Sequence, residues 1–575
     1  MANQPTPTGK PGFITVIIGF LLLPIIWGGS LIAAMLVYYW VGLLTKNSFL
    51  WMALAAIPTF FAAKAGIPRL IGIVLGQSIN LIANTIPGGM GATKQKKRLQ
   101  AEHEATEGFS LFVGTSTGDL AARGHAAGVP AAGVGLNLQL GDACQNFLIL
   151  GATGSGKTTR YMLPMLNDIL GQPCAAFIVD VKGDFGGSVH KLAARHSRKV
   201  TTIGVGGSAK PINLISGLTP DVASSFVLAV IAQTGGKGND AFWQDTAGAI
   251  IKNTLGILQY VPGRYSLAAV HDYLFPDPAT PLLYEKIRQE AAENAAAAGE
   301  QRQFDYHMSY FSRVLPTQAE ATRQGVMSTI DHLLNPFTGP ALADAFSSDS
   351  PDNVKIEDIL SNGGQIYLVD LPLDKFEKSA RLVYVMLKLR LYNFMQGRTR
   401  NKELNQDLPV IMMIDEFQEM VTAGKLMSGG LSDASALDKL RSAKFCAILS
   451  SQSVAALQSA IGDETTTMGL LGNLRQKILL RPEDPKTLKL FQDLIGSAEV
   501  WRESLSENEG QTSASGLGKD TSNRGEGKSW SLQERKVIDA QYIRSRLDIN
   551  SALVCLSANG KAVDDIVRTP NPLYL

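Results

Sequence analysis

The run Gly151-Ala152-Thr153-Gly154-Ser155-Gly156-Lys157-Thr158 fits the pattern G-x-x-x-x-G-K-[ST] at every fixed position. Residues of these types at this spacing hold a triphosphate. The glycines let successive backbone N–H groups turn inward and close on phosphate oxygens. The lysine reaches the β- and γ-phosphates, and the threonine hydroxyl holds Mg²⁺. Gly151, Ala152, Thr153, Gly154, Ser155, Gly156, Lys157, Thr158 and the adjoining Thr159 are therefore the candidate contacts to ATP. Cleaving the nucleotide needs further groups. Ile411 to Glu416 is an apolar run ending in two carboxylates. Asp415 would hold Mg²⁺ through its water shell, together with Thr158, and Glu416 would polarise the attacking water.

Weaker signals surround this pair. Asp180 also ends an apolar run and competes with Asp415 for the metal, but it has no second carboxylate directly beside it. Asp180 and Lys182 are read as a structural or coupling motif beside the nucleotide. Gln452, in Ser451-Gln452-Ser453, follows the apolar run Phe445–Leu449 and is placed to report on the γ-phosphate. Arg441 could reach across a subunit boundary and neutralise charge in the transition state.

Positioning these groups requires strands that end at the nucleotide and helices that leave it. Phe147–Leu150 runs into the glycine loop as a buried strand, and Thr159–Leu170 leaves it as a helix. Further strands are predicted at Ala175–Asp180, Gln365–Val369, Val410–Asp415, Phe445–Leu449, Gln476–Leu480 and Ala552–Leu556. Short apolar runs alternating with helical stretches from about Ala101 onward are the mark of a doubly wound α/β domain. Between Gly217 and Phe346 the strand signal fades, and pieces such as Leu283–Gly299 and Thr322–Leu334 predict an inserted all-α domain, with Trp243 in its core. Glu503–Lys528 is crowded with Ser, Gly and Asn and is expected to be a mobile loop, because it has little apolar surface to bury.

Composition bounds the rest. A chain of 575 residues suggests two or three domains. The formal charge of +2 neither announces nor excludes nucleic acid. Four scattered cysteines without C-x-x-C spacing suit a reducing compartment. The mean hydropathy of +0.06 is high, and the excess sits at the front. No charge occurs from Pro11 to Thr45, which is far longer than the apolar core of a cleaved signal peptide. A span at about 13–44, a polar tip, a second span at about 49–80 and the basic cluster Lys94–Arg98 predict a hairpin with both ends inside the cell. A third span within Leu70–Ile86 is the alternative.

Taken in order, the membrane hairpin, phosphate loop, Asp180-Val-Lys-Gly, Asp415-Glu416-Phe417, Arg441 and Gln452 resemble the type IV secretion coupling proteins, conjugation ATPases similar to FtsK-type DNA pumps. Phe242-Trp243 and Thr322–Ser328 add local similarity. The resemblance implies a RecA-like P-loop domain (94–216 and 347–575, with the loop 503–528), an all-helical insert (217–346) and a transmembrane region (1–93). It also implies ATP and Mg²⁺ as cofactors, and a hexameric ring at the bacterial inner membrane. Its partners would be the secretion channel, a relaxase–DNA complex and protein effectors. Lys157 and Glu416 would be catalytic, Gln452 would sense the γ-phosphate and Arg441 would act on the neighbouring subunit's ATP. Two further readings are an FtsK-like translocase and a membrane receptor that collects substrates without hydrolysis. Gly235-Gly236-Lys237-Gly238 and Lys477 are candidate DNA contacts.

Overall fold

The computed structural model describes residues 108–125, 128–234, 241–422, 431–512 and 521–573. The predicted membrane spans, the basic cluster at 94–98 and the glycine–lysine stretch at 235–238 lie outside the described residues. Among the described residues, no helix is long and apolar enough to cross a membrane.

Thirteen strands are present among those residues: β1 (Ser110–Ser116), β2 (Gly135–Gln139), β3 (Phe147–Leu150), β4 (Ala175–Asp180), β5 (Val200–Gly204), β6 (Ile366–Asp370), β7 (Val410–Ile414), β8 (Phe445–Ser451), β9 (Gln476–Leu479), β10 (Ser497–Thr512), β11 (Thr521–Lys536), β12 (Ser551–Ala558) and β13 (Lys561–Arg568). Eleven of them form one sheet in the order β2-β1-β13-β12-β9-β3-β8-β7-β4-β6-β5. From β9 to β5 every neighbour is parallel. From β2 to β9 every neighbour is antiparallel. The fold is thus mixed α/β on a large, mostly parallel sheet.

The central strands are buried on both faces, as helix-covered parallel sheets require. Every residue of β3, β4, β7 and β8 is buried. Alternation at period two divides them between two cores. Leu148, Phe177, Met412 and Ile414 join one core, and Phe147, Ile178, Ile411 and Met413 the other.

Between β5 and β6 the chain is helical, including Pro220–Thr234, Ala241–Leu258, Pro281–Ala297 and Glu320–Leu334. Its apolar residues are continuous with the core on one sheet face, since Ile250, Leu255 and Ile330 belong to the same cluster as Phe177. Trp243 lies against Gly325, where a Cβ would sit 2.2 Å from the indole ring. The two sequence pieces flagged by resemblance therefore pack on each other.

Glu503–Lys528 departs from its expected loop. Its described parts, 503–512 and 521–528, belong to β10 and β11, which pair antiparallel from Ser497↔Lys536 to Thr512↔Thr521. This ribbon is a separate sheet about 50 Å long at strand rise. Low apolar content argues against a core, but cross-strand hydrogen bonds satisfy the backbone without one.

Candidate functional site

All the predicted strands next to the glycine loop end on one edge of the sheet. At a topological switch of this kind the loops beyond the carboxyl ends of the strands form the ligand crevice. β3 is that switch: β8 lies on one side of it and β9 on the other. Leu150 pairs with Ser451 and Leu479, so the glycine loop leaves the sheet between Gln452 and Leu480.

The loop is shaped as a phosphate cradle. Gly156 has φ +94°, a left-handed conformation that favours glycine. A Cβ on Gly151 would sit 2.5 Å from the Ser155 hydroxyl, so only hydrogen fits there. That hydroxyl is buried and has no hydrogen-bond partner. Lys157 is buried, with its ammonium donating to the carbonyls of Gly151 at 2.8 Å and Ala152 at 3.5 Å. Burial pulls its pKa down, against the opposing charges of Glu416 and Asp415. Thr153 and Gly154 are exposed at the mouth.

The helix beyond the loop opens with a wide π turn over Lys157–Met162 before the α-helix Leu163–Leu170. Such turns leave a carbonyl free for another partner. Thr159 uses its carbonyl to accept the N–H of Leu573 at 3.1 Å.

Asp415 meets the loop. The Thr158 hydroxyl donates to one carboxylate oxygen at 3.2 Å, and Ser450 of β8 donates to the other at 2.6 Å. Thr158 and Asp415 are 257 residues apart in the chain. This hard-oxygen pair, beside a loop built for phosphate, fits a Mg²⁺ that keeps most of its waters.

Glu416 follows in a left-handed conformation, φ 52° and ψ 50°. Non-glycine residues rarely adopt it, and such strain collects at functional sites. The carboxylate is buried and held on both oxygens. Lys182 donates to Oε1, and the Gln418 amide donates to Oε2 at 2.7 Å. Gln418 is itself fixed by the Ser451 hydroxyl at 2.8 Å. Burial works to raise the Glu416 pKa, but the bonds from Lys182 and Gln418 and the charges of Lys182 and Lys157 outweigh it and hold it low.

The remaining candidates divide. Gln452 is exposed and shares a cleft with Gln418, Lys378 and Arg381, so it stands beside the groups that hold Glu416. Asp180 points away from the metal role. Its carboxylate accepts N–H groups of Gly183, Phe185 and Gly186 at 2.8, 2.9 and 2.6 Å, which folds the loop that carries Lys182. Arg441 is not brought to this site. It lies exposed in the short turn Leu440–Ala443 at the entry to β8, whereas the site is at the exit, about 20 Å along the strand.

The candidate DNA contact Lys477 is corrected. It is a buried residue of β9, donating to the Leu474 carbonyl at 2.7 Å, so it cannot grip a phosphate backbone. Its place inside the predicted strand Gln476–Leu480 is the signal against that role.

Sequence reasoning misses Gln418, Ser450 and the grip of Lys182 on Glu416. Nothing local reports these contacts, although Gln418 stands only two residues past Glu416 and Ser450 two before Gln452.

Comparisons with known proteins bear on the fold and the family. No curated protein sequence matches the chain. Three solved structures of the conjugative coupling protein TrwB are similar. The unbound form is 17% identical, with a TM-score of 0.53 over 81% of this chain and 95% of that one. The complex with ADP and Mg²⁺ is 15% identical, with a TM-score of 0.54 over 81% and 95%. The complex with a non-hydrolysable ATP analogue is 17% identical, with a TM-score of 0.52 over 81% and 96%. At these identities they show a shared fold. The family model for conjugative DNA transfer by the type IV secretory system matches residues 117–559, more than three quarters of the sequence. This protein belongs to the type IV secretory system conjugative DNA transfer family.

Proposed function

We propose that the chain is an ATPase that drives substrate transfer through a type IV secretion channel. The observation that carries this reading is the hydrogen bond between Thr158 and Asp415, which joins the phosphate loop to the acidic couplet. Gly151 to Thr159 bind the phosphates of ATP, and Thr158 and Asp415 hold Mg²⁺, as hard oxygen donors suit that ion. When bound there, Mg²⁺ would supply positive charge to the phosphate oxygens. Lys157 contributes a second positive charge. Glu416 accepts the proton of a water whose oxygen bonds to the γ-phosphorus, while the bond to the β-phosphate oxygen breaks and ADP leaves.

TrwB has been solved with ADP and Mg²⁺ and with an ATP analogue, which supports the same ligands here. Gln452, beside Gln418, senses the γ-phosphate. Arg441, too far from its own site, serves the neighbouring subunit of a hexameric ring. Residues 217–346 form a helical insert between the two parts of the nucleotide domain, 94–216 and 347–575. The apolar stretches at 13–44 and 49–80 anchor the ring in the inner membrane. The cargo is a relaxase–DNA complex, protein effectors or both.

The test is ATP turnover by the full chain with and without DNA. Lys157→Ala should lower kcat by roughly 10²–10³-fold, the usual weight of a transition-state charge stabiliser, and Glu416→Gln by roughly 10²–10⁴-fold, that of an acid–base group. Turnover unchanged in both variants would overturn the reading. Turnover that is flat in the unaltered protein, even with DNA, would favour a receptor that only collects substrates.

A further inference from the structure

Lys182 is the one ammonium bonded to the candidate base among the described residues, and the hydrolysis step leaves it without a task. The two partners differ in freedom. The Lys182 side chain is 49% exposed and the Glu416 side chain 5%. The backbone beneath the lysine is fixed, because Asp180 caps the loop and a Cβ on Gly183 would strike Pro372 at 2.7 Å. Only the flexible stem of Lys182 can move, and a lysine carries its charge on four rotatable carbons. Glu416 has no such latitude, with Gln418 and Ser451 stacked behind it.

We propose that Lys182 is a latch on Glu416: its ammonium holds the carboxylate at rest, and a γ-phosphate seated against Lys157 draws the ammonium away and frees the base. The proposal rests on the reading of Glu416 as the base. A carboxylate engaged by an ammonium and an amide is a poor proton acceptor, because both bonds favour its ionised form. Lys182 and Lys157 serve the same crevice, since Thr158, next to Lys157, bonds Asp415, next to the Glu416 that Lys182 holds. A phosphate there offers more negative charge and more acceptor oxygens than one carboxylate. Once released, Glu416 takes the proton of the water as its oxygen joins the γ-phosphorus and ADP departs. Lys182 is thus a positioning residue acting through Glu416. Without DNA the ammonium is shared between the phosphate and the carboxylate, so it still restrains the base for part of the time that ATP is bound.

The experiment measures kcat and KM for ATP, with and without saturating DNA, on the full chain and on Lys182→Gln, Lys182→Arg, Gln418→Leu and Lys182→Gln/Glu416→Gln. In Lys182→Gln the DNA-free kcat should rise about two- to fivefold, the scale of one partly exposed ion pair, and stimulation by DNA should fall. KM for ATP should rise, while ADP affinity stays within about twofold, since ADP has no γ-phosphate to attract the lysine. Lys182→Arg should restore the restraint. Gln418→Leu should also raise DNA-free turnover and, unlike Lys182→Gln, leave the KM for ATP unchanged. A kcat lowered equally with and without DNA in Lys182→Gln would overturn the latch, as would an unchanged kcat. If that variant lost ADP binding, Gln418→Leu would decide alone, and a fall there would equally overturn it. The double variant separates the two ideas: it should be inactive, and turnover matching Lys182→Gln would instead sink Glu416 as the base.

Discussion

Two lysine–carboxylate pairs hang on the chain just after β7, and they behave as opposites. Lys182 and Glu416 meet at the mouth of the phosphate loop, with the lysine half exposed. Lys388 and Asp433 meet at 2.7 Å with both side chains fully buried. Asp433 also accepts from Tyr392 at 2.8 Å and from the Thr422 hydroxyl at 2.9 Å, while Lys388 also donates to the Met420 carbonyl. Both carboxylate oxygens of the second pair are therefore engaged away from water. It ties the long helix Leu373–Arg398 to the segment after β7 and to α-helical Asp433–Leu437. The first pair has solvent on one side and a phosphate site on the other. The same two functional groups make a fixed joint when desolvated on all sides and an exchangeable contact when one partner keeps a path to water.

The comparison breaks most readily at the buried pair. Lys388→Met leaves Asp433 charged and unpaired in a dry site and should cost about 3–5 kcal/mol of stability. Urea unfolding of the variant would measure it, and a loss under about 1 kcal/mol would mean that the joint is not structural.

Lys477 sharpens the contrast as a buried lysine bonded to a carbonyl instead of a carboxylate. Burial lowers its pKa from 10.5 to about 8. Below about pH 8 it is charged both folded and unfolded, and the full penalty of burying that charge applies. Between about 8 and 10.5 the unfolded chain holds more protons, so this group's contribution to stability rises with pH. Lys477→Met should remove that rise, on the order of 3 kcal/mol, from unfolding curves taken across the window, and should be the more stable protein at pH 7. Identical pH slopes would show that the ammonium is hydrated.

The smallest effect belongs to the first pair. Lys182→Gln should change folding stability by less than about 1 kcal/mol, as half-exposed pairs do, while raising DNA-free turnover. A melting shift as large as that of Lys388→Met would erase the distinction between joint and latch.

Much of the architecture around the site is legible in the chain itself. The strands predicted at Phe147–Leu150, Ala175–Asp180 and Val410–Asp415 are there within a residue, because fully buried parallel strands are unbroken apolar runs. Strands β1, β2, β5 and β13 escape that reading. β2 and β5 mix polar residues with apolar ones, and β13 carries two consecutive aspartates, Asp564 and Asp565. Those aspartates are buried by contacts from elsewhere in the chain: His125 bonds Asp564, while Ser116 and Gly118 bond Asp565. The ribbon β10–β11 is hidden for a related reason, since pairing between two polar strands leaves no periodic apolar signal in either.

The phosphate loop and acidic couplet are readable because each is a local device, in which backbone conformation and side chains a few residues apart do the work. Sequence by itself therefore determined which groups are proposed to handle phosphate and metal, and that the strands carrying them are buried. Only the tertiary structure decided which charges touch: that Lys182 grips Glu416, that Asp180 folds a loop instead of holding metal, and that Arg441 stands at the far end of β8. Such pairings depend on strand order, and β4, β7 and β3 are drawn together across hundreds of residues through the sheet. Strand order is fixed by the packing of both cores at once, which no short stretch of chain encodes.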